Sequence, residues 1–151
     1  MQLDRIDTMR NQKGFSLLEI LVTLVILSFG LLGIAGIIVN SLKSNQSSYS
    51  RTQASWLAND IIDRMRANRS TAEVAPSPYS LAMSASAPTD ASIPSVDLKD
   101  WRDALASALP SGTGSVAVDA TSSNVTVVVQ WDNSHAVGGA SNEKIIVESH
   151  L

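Results

Sequence analysis

The chain carries one long, uninterrupted apolar block near its N-terminus. From Ile20 to Val39 no residue is charged, and the two hydroxyl side chains, Thr23 and Ser28, can bond back to helix carbonyl groups. A helix of this length matches the roughly 30 Å hydrocarbon thickness of a bilayer at about 1.5 Å per residue. The remaining chain has too few large apolar residues to enclose such a helix on every side. We therefore predict a membrane-spanning helix over 15–39; an ordinary secretory signal, with a shorter apolar core, fits less well.

A polar segment without helix breakers follows this block. No proline or glycine occurs from Leu42 to Ser70. Spacings of three and four between apolar residues are typical of an amphipathic helix, and they relate Ala54, Leu57, Ala58, Ile61, Ile62 and Met65. We expect the helix to continue over 40–69. Trp56 lies off this apolar stripe, and we expect it in the core, with a subunit interface as the alternative.

The C-terminal end of this helix carries positive charge from three arginines, Arg64, Arg66 and Arg69. That placement complements the helix dipole. The cluster either contacts a partner protein or lipid headgroups, or it is a solvated helix end, which is the more common case.

The rest of the chain, 70–151, has the pattern of a small globular head. Residues 70–96 are rich in Ser, Ala and Pro and predict a loop. Asp97 is expected to cap a short helix over 97–109 with an apolar face containing Leu98, Trp101 and Leu105. Three β-rich segments within 115–149, separated by turn signals, predict an antiparallel meander packed on the long helix. The expected fold class is therefore α+β.

Composition narrows the possible functions. A net charge of −3 without a long basic run excludes nucleic-acid binding through a basic patch. The absence of cysteine excludes disulfides and thiolate metal sites. Asp132 and His135 could form half of a catalytic or metal pair, but no third ligand is evident, and we interpret His135 and His150 as solvated. We expect no enzymatic activity, no cofactor and no metal.

A charged side chain at the start of the apolar block gives the strongest functional signal. The stretch from Lys13 to Glu19, KGFSLLE, resembles the cleavage signature of type IV prepilins and pseudopilins. The resemblance implies that residues 1–14 are a cytoplasmic leader, that a prepilin peptidase cuts after Gly14, and that the new terminus at Phe15 is methylated. It also implies a pilin-like fold, in which a long N-terminal helix packs on a small antiparallel β-sheet head. Cutting after Gly14 makes Glu19 the fifth residue of the mature chain, as the family pattern requires.

The charges flanking the apolar block predict its orientation. Three basic residues, Arg5, Arg10 and Lys13, precede the block, whereas two, Lys43 and Arg51, follow it. Positive charge is retained on the cytoplasmic side of a membrane helix. We expect a single-pass inner-membrane protein with a cytoplasmic N-terminus and a periplasmic head, later carried to the pilus and the cell surface.

Glu19 has a physical interpretation that does not depend on the family name. A carboxylate at the edge of hydrocarbon is costly unless a positive group neutralises it. Cleavage would create an amine at Phe15, one helical turn away on the same face. Glu19 could pair with that amine, and the resemblance implies pairing with the amine of a neighbouring subunit during assembly. Which amine it meets is left open, and an unpaired interfacial Glu19 is the remaining alternative.

Three glycines recur every third residue within the apolar block, at Gly30, Gly33 and Gly36. In a membrane, glycine permits close approach of another helix. We interpret the three as sites of helix packing or local flexibility, with ordinary glycine enrichment of membrane helices as the alternative.

Segments well separated along the chain narrow the resemblance. SFGLLGIAGI in the apolar block, DIIDRMRANR near residue 65 and DLKDWRDALASALPSGTGSV further on are similar to the PilV-type minor pilins, the type IV pilus modification proteins. This implies priming of pilus assembly, twitching motility and adhesion. The implied partners are the prepilin peptidase, other minor pilins, the major pilin, the inner-membrane pilus assembly machinery and a tip adhesin.

Two alternatives remain from the sequence. A type II secretion pseudopilin has the same N-terminal organisation. A single-span membrane anchor carrying a periplasmic binding module would have the span and head but would not be cut after Gly14.

Overall fold

The structure, a computed structural model, describes residues 14–151. It contains three helices and three strands in this part of the chain: α1 (Leu17–Ala67), α2 (Arg69–Ala72), α3 (Ile93–Ala108), β1 (Thr113–Asp119), β2 (Asn124–Trp131) and β3 (Glu143–His150). The chain divides into two compact units, one ending at Val39 and the other running from Asn40 to Leu151. The second unit is called the head.

The first unit is the apolar part of α1. Its side chains are exposed from Leu17 to Val39, and the helix is long and apolar enough to cross a membrane. The hydroxyl groups of Thr23 and Ser28 donate to the carbonyl oxygens four residues earlier, each at 2.7 Å. The two polar side chains of the block are therefore satisfied within the helix, as expected, and add little to the cost of burial in hydrocarbon.

The sheet of the head is the antiparallel meander that the strand pattern predicts. Its order is β1-β2-β3, with β2 in the centre. Alternate residues face the core in rows across the sheet, and one row places Val116 against Val127 and Val127 against Val147. The β-branched run of the central strand is buried on this face because Val125, Val127 and Val129 lie on the same side of the pleat.

One hydrophobic core joins the sheet to the two longer helices. The C-terminal part of α1 contributes Ala54, Ala58, Ile61, Ile62 and Met65, all fully buried. α3 contributes Leu98, Trp101 and Leu105, also fully buried. The architecture is thus a long N-terminal helix packed on a small antiparallel sheet, which confirms the predicted α+β, pilin-like fold class.

The start of α3 and the end of α1 differ from the sequence prediction. α3 begins at Ile93, not Asp97, because Ser92 takes the cap position and Pro94 occupies the first turn. Proline fits there since the missing N–H has no partner in a first turn. Asp97 lies inside α3, so its predicted capping role is wrong. α1 ends at Ala67, two residues before the expected end, and the short α2 follows.

The loop predicted over 70–96 is more ordered than its composition suggests. Its residues Ala72, Tyr79 and Leu81 are buried in the core. Leu81 exchanges two backbone hydrogen bonds with Val116 of β1, at 2.8 and 2.9 Å. The Arg102 side chain then holds the next turn, because its Nη2 donates to the carbonyl oxygens of Ala82, Met83 and Ala85.

Trp56 contradicts its predicted place in the core. Its side chain is 65% exposed. It lies on the face of α1 opposite the buried stripe, and it is not buried despite its large apolar surface.

The arginine cluster is tied into the head rather than simply solvated. Arg66 donates to the Ser149 hydroxyl at 2.7 Å and to the His150 carbonyl oxygen at 3.2 Å, both at the end of β3. Arg51 pairs with Glu143 at the start of β3. Two arginines of α1 therefore fix the edge strand at both of its ends.

Candidate functional site

The candidate site is the junction between the leader and α1. Gly14, Phe15 and Ser16 are exposed and precede the helix, which begins at Leu17. Exposed, non-helical backbone is what a peptidase can reach. The leader up to Lys13, including its basic residues, lies outside the described residues. The predicted cut between Gly14 and Phe15 therefore falls on accessible chain immediately before regular structure.

Ser16 marks the helix start. Its hydroxyl oxygen accepts a hydrogen bond from the Leu18 amide at 3.3 Å, and its carbonyl oxygen accepts one from the Ile20 amide at 3.2 Å. This arrangement satisfies one of the free amide groups that every helix N-terminus presents. Phe15 then lies just outside the helix, with its ring 80% exposed.

Glu19 lies in the first turn of α1, on the side of the helix that Phe15 also lines. The two residues border one shallow apolar groove together with Ile20, Thr23 and Leu24. A carboxylate in the first turn is favoured by the positive end of the helix dipole. An amine generated at Phe15 would add a second positive group at this end. The placement agrees with the face predicted for residues one and five of a mature chain.

Glu19 has no positive partner in the part of the chain that the structure describes. The ion pairs formed there, six in all, do not include it. The other acidic groups near arginines are mostly neutralised locally, as Asp60 and Asp97 are by Arg64. Glu19 is thus a carboxylate available to a charge that the cut would create or that another molecule would bring.

The glycines of the apolar block line open surface. A Cβ placed at Gly30, Gly33 or Gly36 would meet no atom within 4 Å. Packing within this chain therefore does not require glycine at any of the three positions. Their predicted role in helix packing concerns neighbours outside the chain and stays a prediction.

The head contains Asp132 and His135, the two residues that the sequence offers as half of a catalytic or metal pair. Asp132 accepts a hydrogen bond from the Ser134 amide at 2.9 Å, and this bond lowers its pKa. His135 and His150 are both exposed, as expected for solvated histidines. No group of three potential metal ligands occurs in the described chain.

A buried polar network in the head was missed by sequence reasoning. The Tyr79 hydroxyl donates to Asp97 at 2.7 Å and accepts from the Asn68 amide at 3.2 Å. Arg64 donates to the same carboxylate at 3.4 Å. Burial, together with donation to Asp97, raises the pKa of Tyr79 to about 12. Because the donors come from α1 and from the loop, the network joins three segments, and no local motif could have indicated it.

Comparison with known proteins gives one match. Residues 9–35 match the protein-family profile described as the prokaryotic N-terminal methylation motif. The matched range contains Gly14, Phe15, Glu19, Gly30 and Gly33, and Gly36 follows directly after it. No curated protein and no solved structure matches the chain. The motif is the processing signal of type IV pilins and pseudopilins, and it indicates such a protein, matured by prepilin peptidase.

Proposed function

We propose that this protein is a minor pilin of the type IV pilus, of the PilV type, which takes part in priming pilus assembly. The observation that carries the proposal is the Gly14–Phe15–Glu19 register at the start of an exposed apolar helix. The helix stores the subunit in the inner membrane, with the N-terminus in the cytoplasm and the head in the periplasm. Cleavage then frees the subunit from its leader for assembly.

The three parts of the chain support successive steps of this function. Accessible backbone at Gly14 and Phe15 provides the cut, and the new amine at Phe15 receives the methyl group. The carboxylate of Glu19, which forms no ion pair among residues 14–151, then offers a charge partner to an incoming amine. Because a salt bridge gains strength where water is excluded, this pairing would set the position of one subunit against the next. The head provides lateral contacts to other minor pilins and the major pilin and, near the tip, to an adhesin.

Mass spectrometry of the mature N-terminus tests the proposal most directly. We expect the membrane-extracted protein to begin at Phe15 and to carry a methyl group there. Gly14→Val should retain the leader because the peptidase requires the small residue, and no clash would confuse the result, since a Cβ at Gly14 meets no atom within 4 Å. Gly30→Val, at an equally open glycine outside the cut site, is the matched control and should be processed. An intact leader on the unmodified chain would contradict the proposal and favour a plain membrane anchor with a periplasmic binding module.

Deletion of the gene separates the pilus from the secretion alternative. We expect fewer surface pili and reduced twitching with normal protein export. A secretion defect in cells with normal pili would instead identify a type II secretion pseudopilin. Complementation with the unmodified chain, and not with Gly14→Val, would connect the phenotype to processing.

A further inference from the structure

The segment between β2 and β3, residues 132–142, is held in a defined position beside α1. We call it the β2–β3 loop. Asn133 is buried at its base, and its side-chain Nδ2 donates to the Ser47 hydroxyl of α1 at 3.0 Å. The Asn133 amide donates to the Ala140 carbonyl oxygen at 2.9 Å, which brings the two arms of the loop together. The loop is therefore fixed to the helix, although its sequence is rich in turn residues.

A tight turn at the tip of the β2–β3 loop presents Val137 to the surroundings. The Gly139 amide donates to the Ala136 carbonyl oxygen at 3.2 Å, and Gly138 between them has a φ of 72°, a conformation that suits glycine. Val137 is 66% exposed, more than any other large apolar side chain of the head after α1. Because the turn already orders this segment, a contact at Val137 costs little additional conformational freedom.

The β2–β3 loop lies beside the first turns of α1 within the head. His135 and Ala136 line a small cavity together with Lys43 of the helix. Lys43 follows Val39, the last residue of the apolar block, by four residues, which is about 6 Å along a helix. The headgroup region on each side of the hydrocarbon is roughly 5–8 Å thick. For a span that ends at Val39, Lys43 and the loop beside it are therefore level with the lipid headgroups.

Two lysines near this loop have no carboxylate partner in the described chain. Lys43 and Lys144, the second residue of β3, take part in none of the ion pairs formed among residues 14–151. Lys99, the remaining lysine of this range, pairs with Asp103. Arg66, beside the other end of β3, is also paired with an aspartate. The ammonium groups left to an external partner are thus at the end of the head that is nearest to the apolar block along α1.

The carboxylates that border the β2–β3 loop are already stabilised within the head. Asp132 accepts a hydrogen bond from the Ser134 amide at 2.9 Å, and Glu143 pairs with Arg51. The two lysines are therefore the charges that this surface offers to a partner. A phosphate group is the kind of anion that suits an ammonium group at a membrane boundary.

We propose that the β2–β3 loop contacts the membrane surface while the protein is anchored, with Val137 in the headgroup region and Lys43 and Lys144 on lipid phosphate groups. The partner is lipid because the loop lies level with the headgroups of the membrane that α1 enters. One valine and two lysines bind a bilayer weakly by themselves. The anchor makes this contact effective because it holds the loop at a high local concentration of lipid.

This contact would give the head two attachments to the bilayer, the helix and the loop. It rests on the membrane anchoring that the proposed function requires, but not on cleavage, methylation or a pilus partner. The uncut chain in vesicles should therefore show it.

Fluorescence quenching in vesicles tests the contact, and the chain is suited to labelling because it has no cysteine. Val137→Cys is made in the full chain, labelled with the fluorophore NBD and inserted into vesicles of phosphatidylethanolamine and phosphatidylglycerol. Thr121→Cys, a β-branched and exposed residue in the turn at the opposite end of the sheet, is the matched control. We expect nitroxide-labelled lipid to quench the label at residue 137 several-fold more strongly than the label at residue 121.

A second set of variants tests the role of the lysines. Lys43→Gln and Lys144→Gln, combined in the Val137→Cys chain, should reduce quenching by the labelled lipid several-fold because the attraction to phosphate is lost. Lys99→Gln in the same chain removes a lysine that is already paired and should leave the quenching unchanged. Equal quenching in the two sets would overturn the assignment of Lys43 and Lys144 to lipid phosphate.

The contact itself is overturned if labelled lipid quenches residues 137 and 121 equally. It is also overturned if residue 137 is protected from iodide in the water without being quenched by lipid, because protein then covers the loop. Flotation of the chain with the vesicles separates this result from the proposed function. A chain that fails to float contradicts both, whereas a chain that floats without selective quenching contradicts the contact alone.

Discussion

Individual carboxylates in this protein have different kinds of partner. Inside the head, the Asp97 carboxylate accepts a hydrogen bond from the Tyr79 hydroxyl and forms an ion pair with Arg64. Glu19, in contrast, lies in the first turn of α1 outside the ion pairs of the described chain. A carboxylate that forms no ion pair within residues 14–151 is able to recognise a group from outside this part of the chain, which is why assembly should be sensitive to Glu19.

Glu19→Gln should leave processing intact and impair incorporation into filaments. The substitution keeps the size of the side chain and removes its charge, and the cut lies four residues away, between Gly14 and Phe15. We expect a normally matured subunit in the membrane fraction and several-fold less of it in sheared pili. The measurement is immunoblotting of both fractions, with Thr23→Val as a control in the same groove. Wild-type recovery of Glu19→Gln in pili would refute the pairing role.

Tyr79 makes the stability of the head depend on alkaline pH. Its pKa is raised from the usual 10.0 to about 12, so the folded state holds the phenolic proton more tightly than the unfolded state. The stabilisation is therefore fully present below pH 10 and is lost as the pH rises from about 10 through about 12.

Tyr79→Phe should remove this dependence. At neutral pH we expect a loss of about 1–2 kcal/mol, because Asp97 loses a buried hydrogen-bond donor. Between pH 10 and 12 the unfolding free energy of the variant should fall less steeply than that of the wild type. Urea unfolding of the detergent-solubilised chain, followed by tryptophan fluorescence, measures both effects. Tyr49→Phe, at an exposed tyrosine, controls for titration of solvated groups, and equal slopes for the wild type and Tyr79→Phe would contradict this assignment.

At the scale of elements, the loop between α2 and α3 is held by side chains of its neighbours. Arg102 of α3 donates to three carbonyl groups of the loop and also contacts Thr113 of β1. Burial lowers the pKa of this arginine. The contacts with the carbonyl groups of the loop are made by its guanidinium group. The loop thus gains order from contacts distant in the sequence in addition to local hydrogen bonds, such as those from the Ser80 amide to Ser77 and from the Ala85 amide to Ala82.

Arg102→Met should free this loop without removing the element that carries it. Methionine keeps much of the apolar stem and leaves the carbonyl oxygens of Met83 and Ala85 without the Arg102 donor, whereas that of Ala82 still accepts from the Ala85 amide. We expect faster proteolysis near residues 82–85 and a decrease of about 1–3 kcal/mol in the free energy of unfolding. Limited proteolysis with mass mapping of the fragments measures the change. Lys99→Met, which breaks an exposed pair with Asp103 on the same helix, should leave the cleavage rate unchanged.

The contrast between elements shows how far sequence reasoning reached. The apolar block and the strands were predictable because each has a pattern within a few adjacent residues. The start of α3 was missed since Ser92 and Pro94 look like loop residues, although both suit a helix N-terminus. The burial of Tyr79 was missed and the position of Trp56 was misjudged for the same physical reason: burial of an isolated aromatic residue depends on distant segments, which periodicity does not describe.

The site was more predictable than the head. Gly14, Phe15 and Glu19 lie within six residues, and their register alone indicated the signal that the family profile matches. The network around Asp97 was not predictable, because its members come from α1, the loop and α3. A motif of neighbouring residues can be predicted from the sequence, whereas a hydrogen-bond network between distant segments can be identified only from the folded structure.

At the scale of the whole molecule, the chain contains a head with its own core and an apolar helix whose side chains are exposed from Leu17 to Val39. Gly30, Gly33 and Gly36 lie in the apolar helix, where an added Cβ would meet no atom of the described chain within 4 Å. A packing requirement for glycine at these three positions would therefore come from contacts outside residues 14–151.

Gly33→Leu should therefore leave the subunit itself unaffected. We expect unchanged processing and unchanged unfolding of the head, together with fewer assembled pili, because a larger side chain keeps neighbouring helices apart. Counting surface pili and comparing urea unfolding of the extracted variant separates the two levels. Ile34→Leu, a neighbouring change that adds no bulk, is the control. Normal piliation of Gly33→Leu would mean that the glycines reflect ordinary membrane-helix composition.

The attachment of β3 to α1 can form only late in synthesis. Arg51 and Glu143 are 92 residues apart, and Arg66 and Ser149 are 83 apart. During synthesis, the apolar helix leaves the ribosome long before the strand that completes the sheet. Until β3 is made, the central strand β2 has one unpaired edge. The parts of the chain made earlier are already held beside the bilayer. A polypeptide released early, before β3, would be anchored but unable to complete its sheet, and its exposed strand edge would mark it for degradation before it could join a filament.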